Sequence, residues 1–218
     1  MRWIFIILFL ALLAPVGAMG QGAPDMALVK GAELTINKSG TRVTRKVAPF
    51  FIDRYEVTQE DYEAQVGRNP AFFKGPRRPV EKVTWAEARD YCRALGKVLP
   101  TEWQWELAAR AGSQTLFFWG DDWDGRYAWG KENADKKTHP VASARPNALG
   151  LYDMLGNVGE WMADDHELAG KVIRGGSWRN GPRGLETAHR IMEAPRRKFH
   201  YVGFRCAKPA TQAEPARN

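Results

Sequence analysis

Asn147-Ala-Leu-Gly-Leu-Tyr-Asp-Met-Leu-Gly-Asn-Val-Gly-Glu-Trp161 is the stretch on which the fold turns. It lies in a region, from Phe117 onward, where Gly, Pro, Asn and Asp recur every few residues. That punctuation belongs to turns and loops. Trp119, Trp123, Trp129, Trp161 and Trp178 are interleaved with it. Aromatic rings bury large areas and can anchor connections that regular ladders do not. Short strands are expected at Ala27–Asn37, Lys46–Tyr55, Val172–Ser177 and Tyr201–Ala207.

Upstream of this region three segments share one helix punctuation. Thr58 precedes Gln59–Val66 and Gly67; Thr84 precedes Trp85–Leu95 and Gly96; Thr101 precedes Glu102–Ala111 and Gly112. Each Thr can accept a bond from an otherwise orphaned amide, and each Gly permits a left-handed exit. Glu87 and Gln104 stand where a capping box needs them. Along the second segment Ala88, Tyr91, Cys92 and Leu95 make a core-facing stripe, so Cys92 points inward.

The N-terminus reads as a secretory signal peptide over residues 1–20: Met1-Arg2, an apolar run from Trp3 to Val16, then Ala18-Met19-Gly20, with cleavage near Gly20. A run of roughly 14 apolar residues is too short for a membrane core that needs about 20, so the chain is expected not to span. What remains fits one domain, 24–208, and a polar, disordered tail, 209–218. The net charge of +7 is scattered, with short clusters at Arg77-Arg78 and Arg196-Arg197-Lys198, and no nucleic-acid motif gathers it. Cys92 and Cys206 are the two cysteines, and an even pair in an exported chain points to a disulfide.

Four segments occur in fixed order: Gly96–Arg110 (GKVLPTEWQWELAAR), Asn147–Trp161, Val172–Trp178 (VIRGGSW) and Val202–Ala207 (VGFRCA). The set closely resembles the sulfatase-modifying-factor domain of formylglycine-generating enzymes. The resemblance implies an α+β, C-type-lectin-like fold, poor in regular structure, with the chain ends close together. It also implies the pairing Cys92–Cys206.

Family catalysis uses two cysteines that hold copper(I), three and eight residues after the serine of Gly-Gly-Ser. Counted from Ser177, those positions hold Asn180 and Leu185. Copper(I) requires soft thiolate or thioether ligands, which an amide and an aliphatic chain do not supply. The expectation is no copper and no catalytic residue. An iron-dependent branch, the ergothioneine-type synthases, takes three histidines from a helical domain that this chain lacks. His139, His166, His189 and His200 form no i, i+4 pair, and none is assigned to a metal. The resemblance implies instead a structural calcium at Asn157, Val158, Gly159 and Glu160, hard oxygen donors suited to that ion. The alternative is an Asn-containing turn whose Glu160 pairs with a buried arginine such as Arg174. The family's second calcium loop would start near Asn133, but the Asn133–Pro140 connection is shorter than that loop. Lectin sugar tripeptides, Glu-Pro-Asn and Gln-Pro-Asp, are missing.

The resemblance therefore points to a non-catalytic periplasmic binding or regulatory protein. Its plan is similar to the TagR-type regulator acting upstream of a membrane Ser/Thr kinase that controls type VI secretion. Its partner would then be an envelope protein, a lipoprotein or the sensor domain of a membrane kinase. The alternatives are a periplasmic tailoring oxidase or formylglycine-generating-type enzyme, and a structural accessory to an envelope redox enzyme. In the binding case the family's peptide cleft, rimmed by Trp178, Arg179 and Arg183, is the expected contact surface. The bland counterpart is a core tryptophan beside solvated arginines.

Overall fold

The computed structural model describes residues 26–38, 40–165 and 170–210. The expected signal peptide (1–20) and most of the expected tail (211–218) lie outside the described residues. Four strands, β1 (Met26–Val29), β2 (Ala32–Lys38), β3 (Thr41–Val47) and β4 (Phe50–Asp53), precede three helices. These are α1 (Gln59–Val66), α2 (Trp85–Ala94) and α3 (Glu102–Arg110). After a long irregular stretch come β5 (Gly159–Asp165), β6 (Lys171–Arg174), a 3-10 turn (Pro182–Leu185), β7 (Arg190–Glu193), β8 (Val202–Gly203) and β9 (Ala207–Pro209).

The helix starts follow the local chemistry. The Thr58, Thr84 and Thr101 side chains accept from the Asp61, Glu87 and Gln104 amides, and the latter two close capping boxes. Two helix ends differ from expectation. α3 turns off at Ala111, itself left-handed at φ 47°, one residue before Gly112. α2 stops at Ala94, and Leu95 is exposed, while Ala88, Tyr91 and Cys92 are buried. The α3 carbonyls of Ala108 and Ala109, which end without intrahelical partners, are met by the Asn147 side-chain amide at 2.8 and 3.2 Å.

All four expected strands need correction: Lys46–Tyr55 takes in the end of β3, breaks at Ala48-Pro49 and continues as β4 only to Asp53. Ala27–Asn37 breaks into β1 and β2 at Gly31, where a side chain would come within 2.6 Å of the Val47 carbonyl. Val172–Ser177 ends at Arg174 because Gly175 and Gly176 take positive φ. Tyr201–Ala207 divides between two sheets: β8 pairs β5, and β9, running to Pro209, pairs β4. The β2–β3 hairpin and strands β5 and β7 escaped the sequence reading.

The sheets are ordered β1-β4-β9, β2-β3 and β7-β6-β5-β8. Because β4 holds both β1 and β9, the two ends of the described domain meet in one sheet. One core packs Trp105, Leu151, Met154, Leu155 and Met162 beneath α3. The other packs Tyr62, Tyr91, Trp161 and Phe204 around the disulfide. Cys92 and Cys206 are bonded and fully buried, as the resemblance implied.

Two buried arginines tie the irregular segments together. Arg205 Nε donates to the Glu160 carboxylate at 2.9 Å, and its other nitrogens reach the Asp53 and Tyr152 carbonyls. Arg174 donates to Glu102 Oε1 at 2.9 Å, Glu106 Oε2 at 2.5 Å and the Thr187 carbonyl at 3.0 Å. A buried guanidinium with carbonyl and carboxylate partners does here what a strand ladder does elsewhere.

Candidate functional site

β6 delivers the chain into Gly175-Gly176-Ser177. Both glycines are obligatory: a Cβ on Gly175 would sit 2.9 Å from the Met154 carbonyl, and one on Gly176 would collide with the Gly184 carbonyl. The turn that follows is closed by the Asn180 amide donating to the Ser177 carbonyl at 2.9 Å. Ser177 Oγ donates to Asn180 Oδ1 at 2.8 Å. The Trp178 amide donates to the Asn157 carbonyl, which joins this turn to the start of β5.

The two positions that would carry copper ligands are separated in kind. Asn180 lines a slot with Gly159, Ile173, Ser177, His189 and Tyr201, of roughly 20 Å³, room for about one water. Leu185 is not on that floor. It is fully buried in the core, against Gly130 and Gly176. The expected concavity with both residues at its base is therefore a narrow slot holding one of them.

Beside the slot lies an aromatic face that the sequence reading only half identified. Trp178 donates its Nε1 proton to the His200 carbonyl at 3.2 Å and meets Phe73 edge-on at 5.6 Å. Phe72 packs on Phe73 at 4.9 Å and is 62% exposed. The Arg179 guanidinium lies 4.4 Å over the Tyr201 ring, a cation–π contact. Arg183 is exposed on the 3-10 turn and is not among these ring contacts. Phe72, Phe73, His200 and Tyr201 complete the face and were missed. A Phe-Phe pair between Pro70 and Gly75-Pro76 was the available clue, since a turn-bounded pair has little chance to reach a core.

The face is held from behind. Both the Phe72 and Phe73 amides donate to Glu81 Oε1, and Gln59 Nε2 donates to the Phe73 carbonyl at 2.7 Å. Burial, with the charges of Arg179 and Lys82, pushes His200 below the usual imidazole range. Arg179, over the Tyr201 ring, supplies fixed positive charge to the face.

The expected calcium residues are brought together, but their side chains are committed. Asn157 Oδ1 accepts from the His139 amide at 2.9 Å, and its Nδ2 donates to Glu56 at 2.7 Å. Both Glu160 oxygens accept from Arg205, and Oε2 also from Trp105 Nε1 at 2.8 Å. The arginine partner of Glu160 is thus Arg205 rather than Arg174. The unmet atom is next door. Asp153 Oδ1 is buried without a hydrogen-bond partner among the described residues. Burial, with the charge of Glu160, pushes Asp153 up to about 6 despite the Ala142 amide and Arg205. Glu56, fully buried, is raised in the same way by burial, Asp153 and Glu160. Three carboxylates here face the one guanidinium of Arg205. The donor set fits a hard cation through Asp153, not through the Asn157 side chain. Among the described residues no three His, Cys, Asp or Glu side chains converge on a metal position, so backbone carbonyls would complete the shell. Asn133, the start of the family's second loop, instead organises its own turn through the Gly130 amide and the Gly125 and Ala128 carbonyls.

Residues 14–210 match the family described as the sulfatase-modifying factor enzyme 1-like domain. The chain belongs to this family. It is 29% identical to a protein named chaperone LppX from Paenibacillus barcinonensis, over 81% of this chain and 88% of that one. It is 36% identical to the inactive C-alpha-formylglycine-generating enzyme 2 of Bos taurus, over 61% of this chain and 50% of the relative. With the serine/threonine-protein kinase pkn1 of Chlamydia pneumoniae it shares 35% identity over 61% of this chain and 24% of the kinase. The chain thus spans half of that inactive relative and a quarter of the kinase. Family members named as active formylglycine-generating enzymes match too, 31% identical in Thermomonospora curvata. Family membership alone therefore does not decide catalysis. Among solved structures, variable protein 1 of Treponema denticola and PvdO of Pseudomonas aeruginosa each superpose with a TM-score of 0.76 at 26% identity, over 84% of this chain and 94% of theirs. The sulfatase-modifying-factor domain here has the α+β, C-type-lectin-like fold that the four segments implied.

Proposed function

We propose that this domain is a non-catalytic binding module that works by contact through the face built on Trp178, Arg179, Phe72 and Phe73. One observation carries the proposal. At the two copper positions, Asn180 is bonded to Ser177 and Leu185 is sealed in the core, while both cysteines of the chain are joined to each other. The relative named as an inactive enzyme supports the same reading. An exposed Phe72 backed by half-buried aromatic rings, beside a guanidinium, has the composition of a protein-binding hot spot. The positive charge selects an acidic partner segment.

The finer proposal is an exported, periplasmic regulator upstream of a membrane Ser/Thr kinase, in the manner of the TagR-type control of type VI secretion. A buried disulfide suits an oxidising compartment. Among the described residues no helix is long and apolar enough to cross a membrane. The kinase named among its relatives supports the link to phosphorylation. We propose further that calcium is held through Asp153 Oδ1 and backbone carbonyls of the 153–160 segment, as a structural ion that offsets buried carboxylate charge.

The test is a photo-crosslinking residue at Phe72 in cells that make the protein, with Leu116 as an exposed control position. Adducts with one envelope protein are expected from Phe72, reduced by Arg179→Glu and not by Arg183→Glu. Equal adducts from Leu116, or adducts indifferent to Arg179→Glu, would remove the face from the proposal. Oxygen uptake by the purified protein, given copper(I) and a cysteine-containing peptide, would restore the oxidase alternative.

A further inference from the structure

On the side of α1 and α2 a pocket of about 340 Å³ opens, within the range of small-ligand sites. It shares no residue with the face at Trp178. Asp53, Glu56, Val57 and Tyr91 form its buried floor, and Asp61 and Lys97 stand above them. In a chain of net charge +7 this wall carries three carboxylates against one ammonium.

The contacts show which of these groups are already committed. Asp53 accepts from Lys97 Nζ at 2.6 Å and from the Cys206 amide at 2.8 Å. Glu56 accepts from the Val158 amide at 3.0 Å and from Asn157 Nδ2 at 2.7 Å. Asp61 Oδ2 accepts from the Thr58 hydroxyl at 2.6 Å, and no contact among the described residues engages Oδ1. Tyr91 is 5% exposed, yet its phenol makes no hydrogen bond among the described residues. Its ring cannot swing to find one: Tyr62 stacks on it at 5.3 Å, and Phe204 meets it edge-on at 5.3 Å. The two rings hold the Tyr91 side chain in place at the pocket wall, where its oxygen is open to a ligand.

Lys97 is neutralised by Asp53, so the open acceptors at the pocket are the Asp61 carboxylate and the Tyr91 oxygen. A ligand anion would be repelled by Asp61. A ligand N–H cation could donate to both, while Val57, Ala64 and Leu95 offer apolar surface to its stem. We propose that this pocket binds an ammonium or guanidinium group on a short aliphatic stem, with Asp61 and Tyr91 as its acceptors. The proposal is independent of the contact face, and either can fail without the other.

The chemistry has two sources, a free small amine or a basic side chain of another protein. Calorimetric titration of the disulfide-intact protein with agmatine and with acetyl-Gly-Arg-Gly-amide separates them, and n-butanol serves as the neutral probe. At least one cationic probe should bind, and butanol should not. Tighter agmatine assigns the free amine; a tighter peptide assigns the side chain. Asp61→Asn should weaken the cation at least fivefold and Tyr91→Phe at least threefold, with melting temperatures near wild type as the check on folding. Added salt should weaken the binding as well. Failure of both cations to bind, equal binding of butanol, or full affinity in both folded variants would overturn the proposal.

Discussion

Replacing Arg174 by Leu tests whether buried ion pairs, rather than strand ladders, hold the loop-rich half of this domain. Arg174 is 1% exposed and lies at the end of β6, just before Gly175-Gly176-Ser177. It bridges Glu102 and Glu106 of α3, holds the Thr187 carbonyl, and stacks 5.2 Å over Trp105. Without it, two buried carboxylates keep Arg190, 3.3 Å from Glu102, and Arg110, 2.8 Å from Glu106. Both of those arginines are partly exposed. Removing one partner from a buried pair costs about 3–5 kcal/mol. The two remaining arginines offset part of this, so the lower end, about 3 kcal/mol, is expected. For a domain of this size that lowers Tm by about 6–12 °C. Thermal and urea unfolding of the purified protein measure it. Arg174→Met combined with Glu102→Gln and Glu106→Gln should recover part of the loss, because no buried carboxylate is left uncompensated and Arg110 and Arg190, which lose their partners, are partly exposed to water. Arg174→Lys should fall between, since one ammonium cannot span both carboxylates. A cost below about 1 kcal/mol for Arg174→Leu, or a neutralised triple variant as unstable as the single one, would refute the electrostatic account in favour of simple packing.

Calcium should raise Tm, by the equivalent of about 2.7 kcal/mol at a hundredfold excess over Kd. Asp153→Asn should abolish that response and Asn157→Ala should keep it; chelator-treated protein that ignores calcium would exclude the ion. Glu87 titrates at about 2: burial pushes it up, but the Thr84 amide, Lys198 and Arg68 outweigh that. Its folded value lies below an unfolded value of about 4.3, so its contribution is present above pH ~4.3 and is lost as pH falls toward 2. After screening at this partly exposed site roughly 1–2 kcal/mol is expected, and Glu87→Gln should flatten the acid limb of the stability curve by that amount. Converting both Cys92 and Cys206 to Ser should cost about 4–5 kcal/mol, read as a lower Tm, and an added reductant should then change nothing further.

Local chemistry was legible in the chain wherever one residue acts on its near neighbours. The three Thr caps, two capping boxes and the inward face of Ala88, Tyr91 and Cys92 follow from spacing alone, because backbone amides a turn away are the only partners they need. The family, its fold and the Cys92–Cys206 pairing followed from four segments in order. Strand β5 did not, because Glu160, its second residue, reads as a polar break until Arg205, from the far end of the chain, neutralises it. The same long-range pairing engages the Asn157 side chain with His139 and Glu56 and leaves Asp153 Oδ1 without a hydrogen-bond partner among the described residues. The face at Trp178 was half legible: its Trp and Arg stand beside a recognisable motif, but Phe72 and Phe73 reach it from a loop that Glu81 and Gln59 hold in place. Spacing along a chain specifies what neighbours can do for one another. Which buried charge meets which arginine, and which rings share a surface, is decided only when distant segments pack and water is no longer there to satisfy them.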